Sequence, residues 1–223
     1  MVASTPAARD DLLALQRRGI EWTLGGGRPM LPVTDAARRA AVLVLFGVLD
    51  ESHATSDGLA PRELDVLLLR RAATLGSHPG QIAFPGGRLE GDEDATTAAL
   101  RESVEETGLD PAGVEVLGTL PDAPLMVSDH LVTPVLGWWT RPSQVAAVDP
   151  AETVEVFRVP VAELLDPANR MTAVLERDDR VFRSPAFRVG GVLVWGFTAI
   201  LLSSLFDELG WAPTWDATRT IQP

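Results

Sequence analysis

Cysteine is absent from this 223-residue chain, which removes disulfides, a thiol nucleophile and any thiolate metal site. That suits a reducing compartment, and a cytoplasmic location is the expectation. Positive charge is in short supply: 31 acidic residues against 19 basic ones leave a formal net charge of −12, which argues against a nucleic-acid partner. A polyanionic substrate must then be met by local arginines and a metal ion. No secretory leader is expected, because Arg9, Asp10, Asp11, Arg17 and Arg18 occupy the region where an apolar stretch would lie. One uncharged run, residues 189–206, reaches membrane-spanning length. Gly190, Gly191, Gly196, Ser203 and Ser204 interrupt it and its period changes partway, so it reads as a strand over 192–195 and a core helix over 197–209, with no membrane partner. Internal repeats and low-complexity segments are also lacking.

What the chain does have is the composition of a folded globular protein, 46 % hydrophobic and 22 % charged, and a length that allows one domain or two small ones. Its most informative stretch is 86–109. The second half predicts a helix over 95–107, since Asp94 can accept from the first free backbone donors and Gly108 can take the left-handed position that ends it. Helical rotation puts Thr97, Leu100, Val104 and Thr107 on one face, expected to pack, and Glu102, Glu105 and Glu106 on the opposite face beside Ala98. Side chains at i, i+3 and i+4 start about 5–6 Å apart, where a like-charge pair costs roughly 3 kcal/mol at an effective dielectric of about 20. Surface glutamate clusters are common, and a solvated acidic face is the plain alternative. Two features favour a ligand instead. The helix follows Phe84-Pro85-Gly86-Gly87, a rigid turn without side chains that suits backbone approaching a ligand, and Ala98 leaves room above the carboxylates. Hard cations such as Mg²⁺ or Mn²⁺ take oxygen ligands, relieve such repulsion and bridge to phosphates. The chemistry indicated is metal-assisted hydrolysis of a phosphate ester or anhydride.

Gly87, five residues, Glu93, seven residues, Arg101-Glu102, Glu105-Glu106 and Gly108-Leu109 together resemble the Nudix hydrolase signature, G-x5-E-x7-R-E-U-x-E-E-x-G-U with U apolar. Every charged and glycine position matches; Ser103 stands where an apolar residue is asked for. Just upstream, Leu67, Leu68, Arg71, Ala72, Gly80 and Phe84-Pro85-Gly86-Gly87 resemble the coenzyme A pyrophosphatase branch, L-L-T-x-R-[SA]-x3-R-x3-G-x3-F-P-G-G. Leu69 replaces its threonine and Gly76 its second arginine. The loss of that arginine matters more, because a guanidinium fork is a natural phosphate partner.

The remaining elements follow in order. Thr5-Pro6 opens a helix, and Gly25-Gly26-Gly27 with Pro29 and Pro32 makes a loose connection. A short helix is expected over 35–39, a strand over 41–46, a loop over 51–61 and a partner strand over 64–69. Residues 70–81 hold Arg70, Arg71, His78 and Gly80, either as a solvated loop or as part of the site. Strands are expected over 114–120 and 131–139, the latter at an edge or bulge because it contains Pro134, with a loop over 121–130 between them. A loop over 142–150 precedes the alternating stretch 152–160, whose Glu152 and Glu155 are either the wet face of a strand or further ligands. A helix over 161–165, strands over 171–175 and 181–189 joined by a turn at 176–179, and a loosely held tail after Trp211 complete the chain.

Mixed strands and a few helices without regular alternation fit a sheet packed between helices. The resemblance implies the Nudix α/β/α sandwich with a mixed β-sheet, here as an N-terminal helical extension (1–35), a Nudix hydrolase domain (36–208) and a C-terminal tail (209–223). It also implies that Glu102, Glu105 and Glu106 hold Mg²⁺ or Mn²⁺, that Arg101 braces them with Glu93 as its salt partner, and that Arg71, His78, Gly86 and Gly87 meet the substrate. The water's proton acceptor is open among Glu105, Glu106, Glu152 and Glu155. The expected partner is a small nucleotide, coenzyme A or a thioester of it. Another nucleoside diphosphate linked to a moiety X, and a Nudix-fold binding module without turnover, are the alternatives. Homodimerisation is left open.

Overall fold

The computed structural model describes residues 7–34, 36–49, 58–74, 79–177 and 180–223. The continuous apolar run near residue 41 becomes β1 (Arg38–Val48), the axis of an eight-stranded mixed sheet. It needs no polar alternation because both of its faces are covered. Ala41, Leu43 and Leu45 meet Ala98 and Ala99 of a helix on one side, while Val44, Phe46 and Val48 meet helices and a second sheet on the other. The flanking helices are α1 (Ala8–Arg18), α2 (Ala95–Thr107), α3 (Val161–Leu165) and α4 (Phe197–Glu208). Among the described residues, α2 lies on the first side and the other three helices on the second, so the sheet is sandwiched between helices as expected.

In the large sheet, β1 runs parallel to β7 (His130–Trp139) and antiparallel to β2 (Leu64–Arg71) from Phe46 onward. Over Ala40, Ala41 and Val42 its partner is instead the short β4 (Gly86–Arg88). The strand β2 also carries β3 (Ile82–Ala83) and β8 (Thr153–Pro160), and β7 carries β5 (Val114–Thr119) and β6 (Ala123–Leu125). A smaller sheet has the order β11 (Val192–Val194), β10 (Arg180–Val189), β9 (Arg170–Arg177), β12 (Thr220–Ile221). The uncharged run thus divides into the end of β10, β11 and α4. No helix of the described residues is long and apolar enough to cross a membrane.

Several expectations are corrected. Residues 38–39 do not belong to a helix: Arg38 and Arg39 open β1, paired with His130 and Leu131. Pro134 does not mark an edge, since β7 is flanked on both sides. Its missing donor is harmless because it falls between the residues paired with β6 and those paired with β5, where its carbonyl accepts from Leu120. The 121–130 loop contains β6. The tail is not loose: Trp211 stacks on Phe206 and donates to Asp11, and Thr220–Ile221 adds β12 to β9. Thr5 and Pro6, Asp35, residues 51–57 and the turn positions 178–179 lie outside the described residues.

Both ends of α2 are as expected, with the Asp94 side chain accepting from the Thr97 N–H at 2.8 Å and Gly108 left-handed at φ 67°. Its packing face is not. Thr97 and Val104 are exposed, and Ala98, Ala99, Ser103, Glu106 and Thr107 are buried. The hydroxyls of Ser103 and Thr107 donate to the carbonyls of Ala99 and Ser103, both at 2.6 Å, so burying them leaves no orphan. A face of alanine and serine then lets the helix come close to the sheet. Substituting Ser103→Leu, which restores the apolar residue of the signature, is expected to overpack this contact and lower unfolding free energy by about 1–3 kcal/mol. Ser103→Ala should stay near wild type, as read from denaturant melts.

Candidate active site

The turn after Phe84 brings β4 alongside β1 and under α2. Glycine is required twice here. A Cβ on Gly86, whose φ is 153°, would lie 2.2 Å from the Ala41 carbonyl oxygen, and one on Gly87 would lie 2.3 Å from the Glu102 carboxylate. The Gly86 N–H donates to Glu106 Oε2 at 3.0 Å. Glu102 and Glu106, one helical turn apart, therefore both rest on the glycine turn.

Arg101 fixes the first of them. Its Nε and Nη2 donate to the two oxygens of Glu93 at 3.2 and 2.7 Å, Nη1 donates to Glu102 at 3.0 Å and to Glu105 at 3.3 Å, and Nη2 also reaches the Arg88 carbonyl at 3.1 Å. The fork holds the Glu93 carboxyl below its ordinary range and is itself pushed further up. Glu105 points outward, its side chain 57 % exposed. The structure thus brings Glu102 and Glu106 together at the turn and leaves Glu105 on the outer side of Arg101. Among the described residues, no three acidic or histidine side chains form a ready metal cage.

Glu106 is under electrostatic stress. Burial pushes its carboxyl up to about 7, against the pull of the Gly86 N–H and Arg71, and Glu102 and Glu152 push the same way as burial. Glu102 is also raised, chiefly by burial and against the pull of Arg101. The Arg71 Nη1 stands 3.8 Å from Glu106, and its Nε is buried without a partner among the described residues. Of the two downstream carboxylates, Glu152 is near enough for its charge to push Glu106 up, whereas Glu155 lies 3.3 Å from Arg70. His78 and Gly76 lie outside the described residues.

A cavity of about 400 Å³ opens beside the turn, with Arg71, Phe84, Gly86 and Gly87 in its wall. Residues 37–177 match the NUDIX domain family. The chain belongs to the Nudix family. This Nudix hydrolase is 37 % identical over 146 residues to an uncharacterized Nudix hydrolase NudL of Photorhabdus laumondii, covering 65 % of this chain and 76 % of that one. Over 205 residues it is 31 % identical to the chloroplastic Nudix hydrolase 22 of Arabidopsis thaliana, covering 87 % of this chain and 63 % of the relative. A Nudix hydrolase of M. smegmatis, RenU, has the same fold at a TM-score of 0.51 and 18 % identity, over 88 % of this chain and 98 % of that one.

Sequence reasoning missed part of the cavity wall. Arg38, Arg88, His130, Gln81, Phe197 and Thr198 also line it. Arg88 was adjacent to a recognised position and could have been found. Arg38 and His130 meet only through the pairing of β1 with β7, and Phe197 and Thr198 only because α4 packs behind β3, where the Thr198 hydroxyl donates to the Ile82 carbonyl at 3.0 Å.

The state of Glu106 has a consequence for stability. A carboxyl with a folded pKa near 7 and an ordinary value of 4.5 favours the folded state in its protonated form. Its contribution is fully present below pH 4.5 and is lost as pH rises through 7. In chelator-treated protein, Glu106→Gln should therefore be more stable than wild type at pH 8 by about 2–3 kcal/mol and indistinguishable from it near pH 4.5, as read from thermal or denaturant melts at the two pH values.

Proposed function

We propose that this Nudix hydrolase cuts the diphosphate bond of coenzyme A or its thioesters, releasing adenosine 3′,5′-bisphosphate and 4′-phosphopantetheine or its acyl form. One observation carries the reading: two carboxylates of one helix rest on a glycine turn in the wall of a cavity that also holds Arg71. The branch is supported by Leu67, Leu68, Arg71, Ala72, Gly80 and the run Phe84-Pro85-Gly86-Gly87.

The residues present fit a hard divalent cation, Mg²⁺ or Mn²⁺. The donors are carboxylate oxygens beside glycine backbone, and Glu106 is strained as an unaccompanied anion. In this reading Glu102 and Glu106 hold the principal ion and Glu105 a second ion or its water shell. When bound, the cation neutralises phosphate charge and lowers the pKa of an attacking water. The other roles fall to the chain. Arg101 and Glu93 fix the Glu102 side chain, Gly86 and Gly87 admit the diphosphate close to backbone, and Arg71 and His78 meet phosphate oxygens. As the water oxygen bonds to phosphorus and the bridging P–O bond breaks, a carboxylate takes the water's proton. Glu152 suits that role better than Glu155, because its charge acts on Glu106 whereas Glu155 is paired with Arg70.

Gly76, where the branch has an arginine, favours a second reading in which the substrate is another nucleoside diphosphate linked to a moiety X. A panel of diphosphate compounds with Mg²⁺, Mn²⁺ or chelator, followed by product identification, separates the two. Coenzyme A should be cleaved with either metal, and chelator should abolish turnover. Glu102→Gln and Glu106→Gln should each lower kcat by orders of magnitude with the fold intact by circular dichroism. Wild-type-like rates in both variants refute the carboxylate assignment, and cleavage of no diphosphate compound leaves a binding module.

A further inference from the structure

We propose that Arg38, Arg88 and His130 form a second anion subsite, which takes a phosphomonoester carried by the substrate in addition to its diphosphate. The inference rests on the reading above only in placing the diphosphate at Gly86 and Gly87.

The placement follows from strand register. β4, β1 and β7 are neighbours, with Arg88 paired to Ala40 and Arg38 paired to His130. Side chains alternate across a strand, so Arg38 and Ala40 share one face of β1, opposite the Ala41, Leu43 and Leu45 face that packs on α2. Arg88 and His130 project on that same face. Diagonal neighbours in a sheet stand about 7–8 Å apart, within reach of long side chains. All three groups line the cavity of about 400 Å³ beside the glycine turn. Arg38 and Arg88 also line an adjoining cavity of about 710 Å³ over the start of α2.

Charge supports the assignment. His130 is pushed below its ordinary range, first by burial and then by Arg38 and Arg88, so both guanidinium groups act on the ring. Arg38 gives one nitrogen to the Ser128 carbonyl at 2.9 Å, and Ser128 Oγ lies 2.9 Å from His130 Nδ1. Arg88 makes no side-chain ion pair or hydrogen bond among the described residues. Of the nearby carboxylates, Glu93 is engaged with Arg101, Asp94 with the first turn of α2, Asp122 with Arg39 and Asp129 with Thr34, while Asp92 lines the adjoining cavity. Several arginines of the described residues pair with a carboxylate, among them Arg9, Arg39, Arg101 and Arg158, whereas Arg38 and Arg88 are gathered beside His130 at a cavity wall. Forked donors from two arginines and a ring N–H suit a phosphate with three oxygens better than a single carboxylate. Arg88 follows Gly87 directly in β4 and Arg38 lies on the neighbouring strand, about 4.8 Å across, so the subsite begins beside the glycine turn, within the span of a single ribose. The substrate class is a nucleoside diphosphate whose ribose bears a further phosphate.

Two measurements test this. The first is kcat/KM for coenzyme A against 3′-dephospho-coenzyme A, in wild type and in Arg88→Gln and Arg38→Gln. Wild type should prefer the phosphorylated substrate, and each substitution should shrink that ratio by about tenfold. The second dispenses with turnover: calorimetric binding of adenosine 3′,5′-bisphosphate and of AMP with chelator present. The bisphosphate should bind wild type about tenfold or more tighter, and Arg88→Gln, at an exposed position that should leave folding intact, should reduce the difference. Equal affinity for the two nucleotides in wild type overturns the subsite even if coenzyme A is cleaved. Discrimination in binding with no diphosphate cleaved keeps the subsite and removes the hydrolytic reading. An equal loss on both substrates in Arg88→Gln also overturns it.

Discussion

The contact of the Glu102 and Glu106 carboxylates with a turn that has no side chains sets much of the rest of the structure. A methyl group at Gly87 would occupy the space of the Glu102 carboxylate, and one at Gly86 would occupy that of the β1 backbone. Because the turn is bare, β4 can pair with Ala40, Ala41 and Val42 of β1, and β2 is kept to the other end of that strand, from Phe46. The same closeness explains why α2 presents Ala98, Ala99 and Ser103 to the sheet. Larger side chains would lift the helix and withdraw its carboxylates from the glycine N–H.

Holding two carboxylates in a half-closed place needs compensation, which the chain distributes unevenly. Glu102 has Arg101, itself locked by the bidentate contact with Glu93. Glu106 has one N–H and an arginine 3.8 Å away. A different solution appears at Arg170, 1 % exposed, which lies over the rings of Phe187 and Trp215 and donates to Ser203 at 2.8 Å, with Asp207 at 3.7 Å. Aromatic faces attract a weakly hydrated guanidinium without requiring a second buried charge. They tie α4, β9, β10 and the C-terminal segment into one unit, which is why the proline-bearing tail is anchored.

Features defined within a helical turn or a fixed spacing were legible from residues alone. Asp94 and Gly108 mark the ends of α2, and the spacing of Gly87, Glu93, Arg101 and the glutamates marks the candidate site. The central strand was legible as well, since a continuous apolar run of that length calls for two covered faces. What stayed hidden depends on contacts remote in sequence. The rotation of α2 about its axis is set by the glycine turn and not by hydrophobicity, because back-bonded Ser103 and Thr107 are as buriable as Leu100. The pairing of Arg38 and Arg39 with β7 overrode a local helical reading. Pro134 looked like an edge signal because its neutral position between β6 and β5 is a fact of register.

The geometry also changes which carboxylate argues for a cation. Three glutamates at i, i+3 and i+4 suggest one crowded patch whose members all repel. In the fold, the charge of Glu105 is met by Arg101 at the surface, where a solvated ion pair is worth little and asks for no further partner. Its presence therefore says little about chemistry. Glu106 is the opposite case: buried, raised to about 7, and subject to the charges of Glu102 and Glu152 with only partial relief. A carboxylate serving structure alone in that place would be better replaced by an amide, which keeps the hydrogen bond to Gly86 without the charge. The case for a bound cation at this turn therefore rests on Glu106, with Glu102 braced beside it.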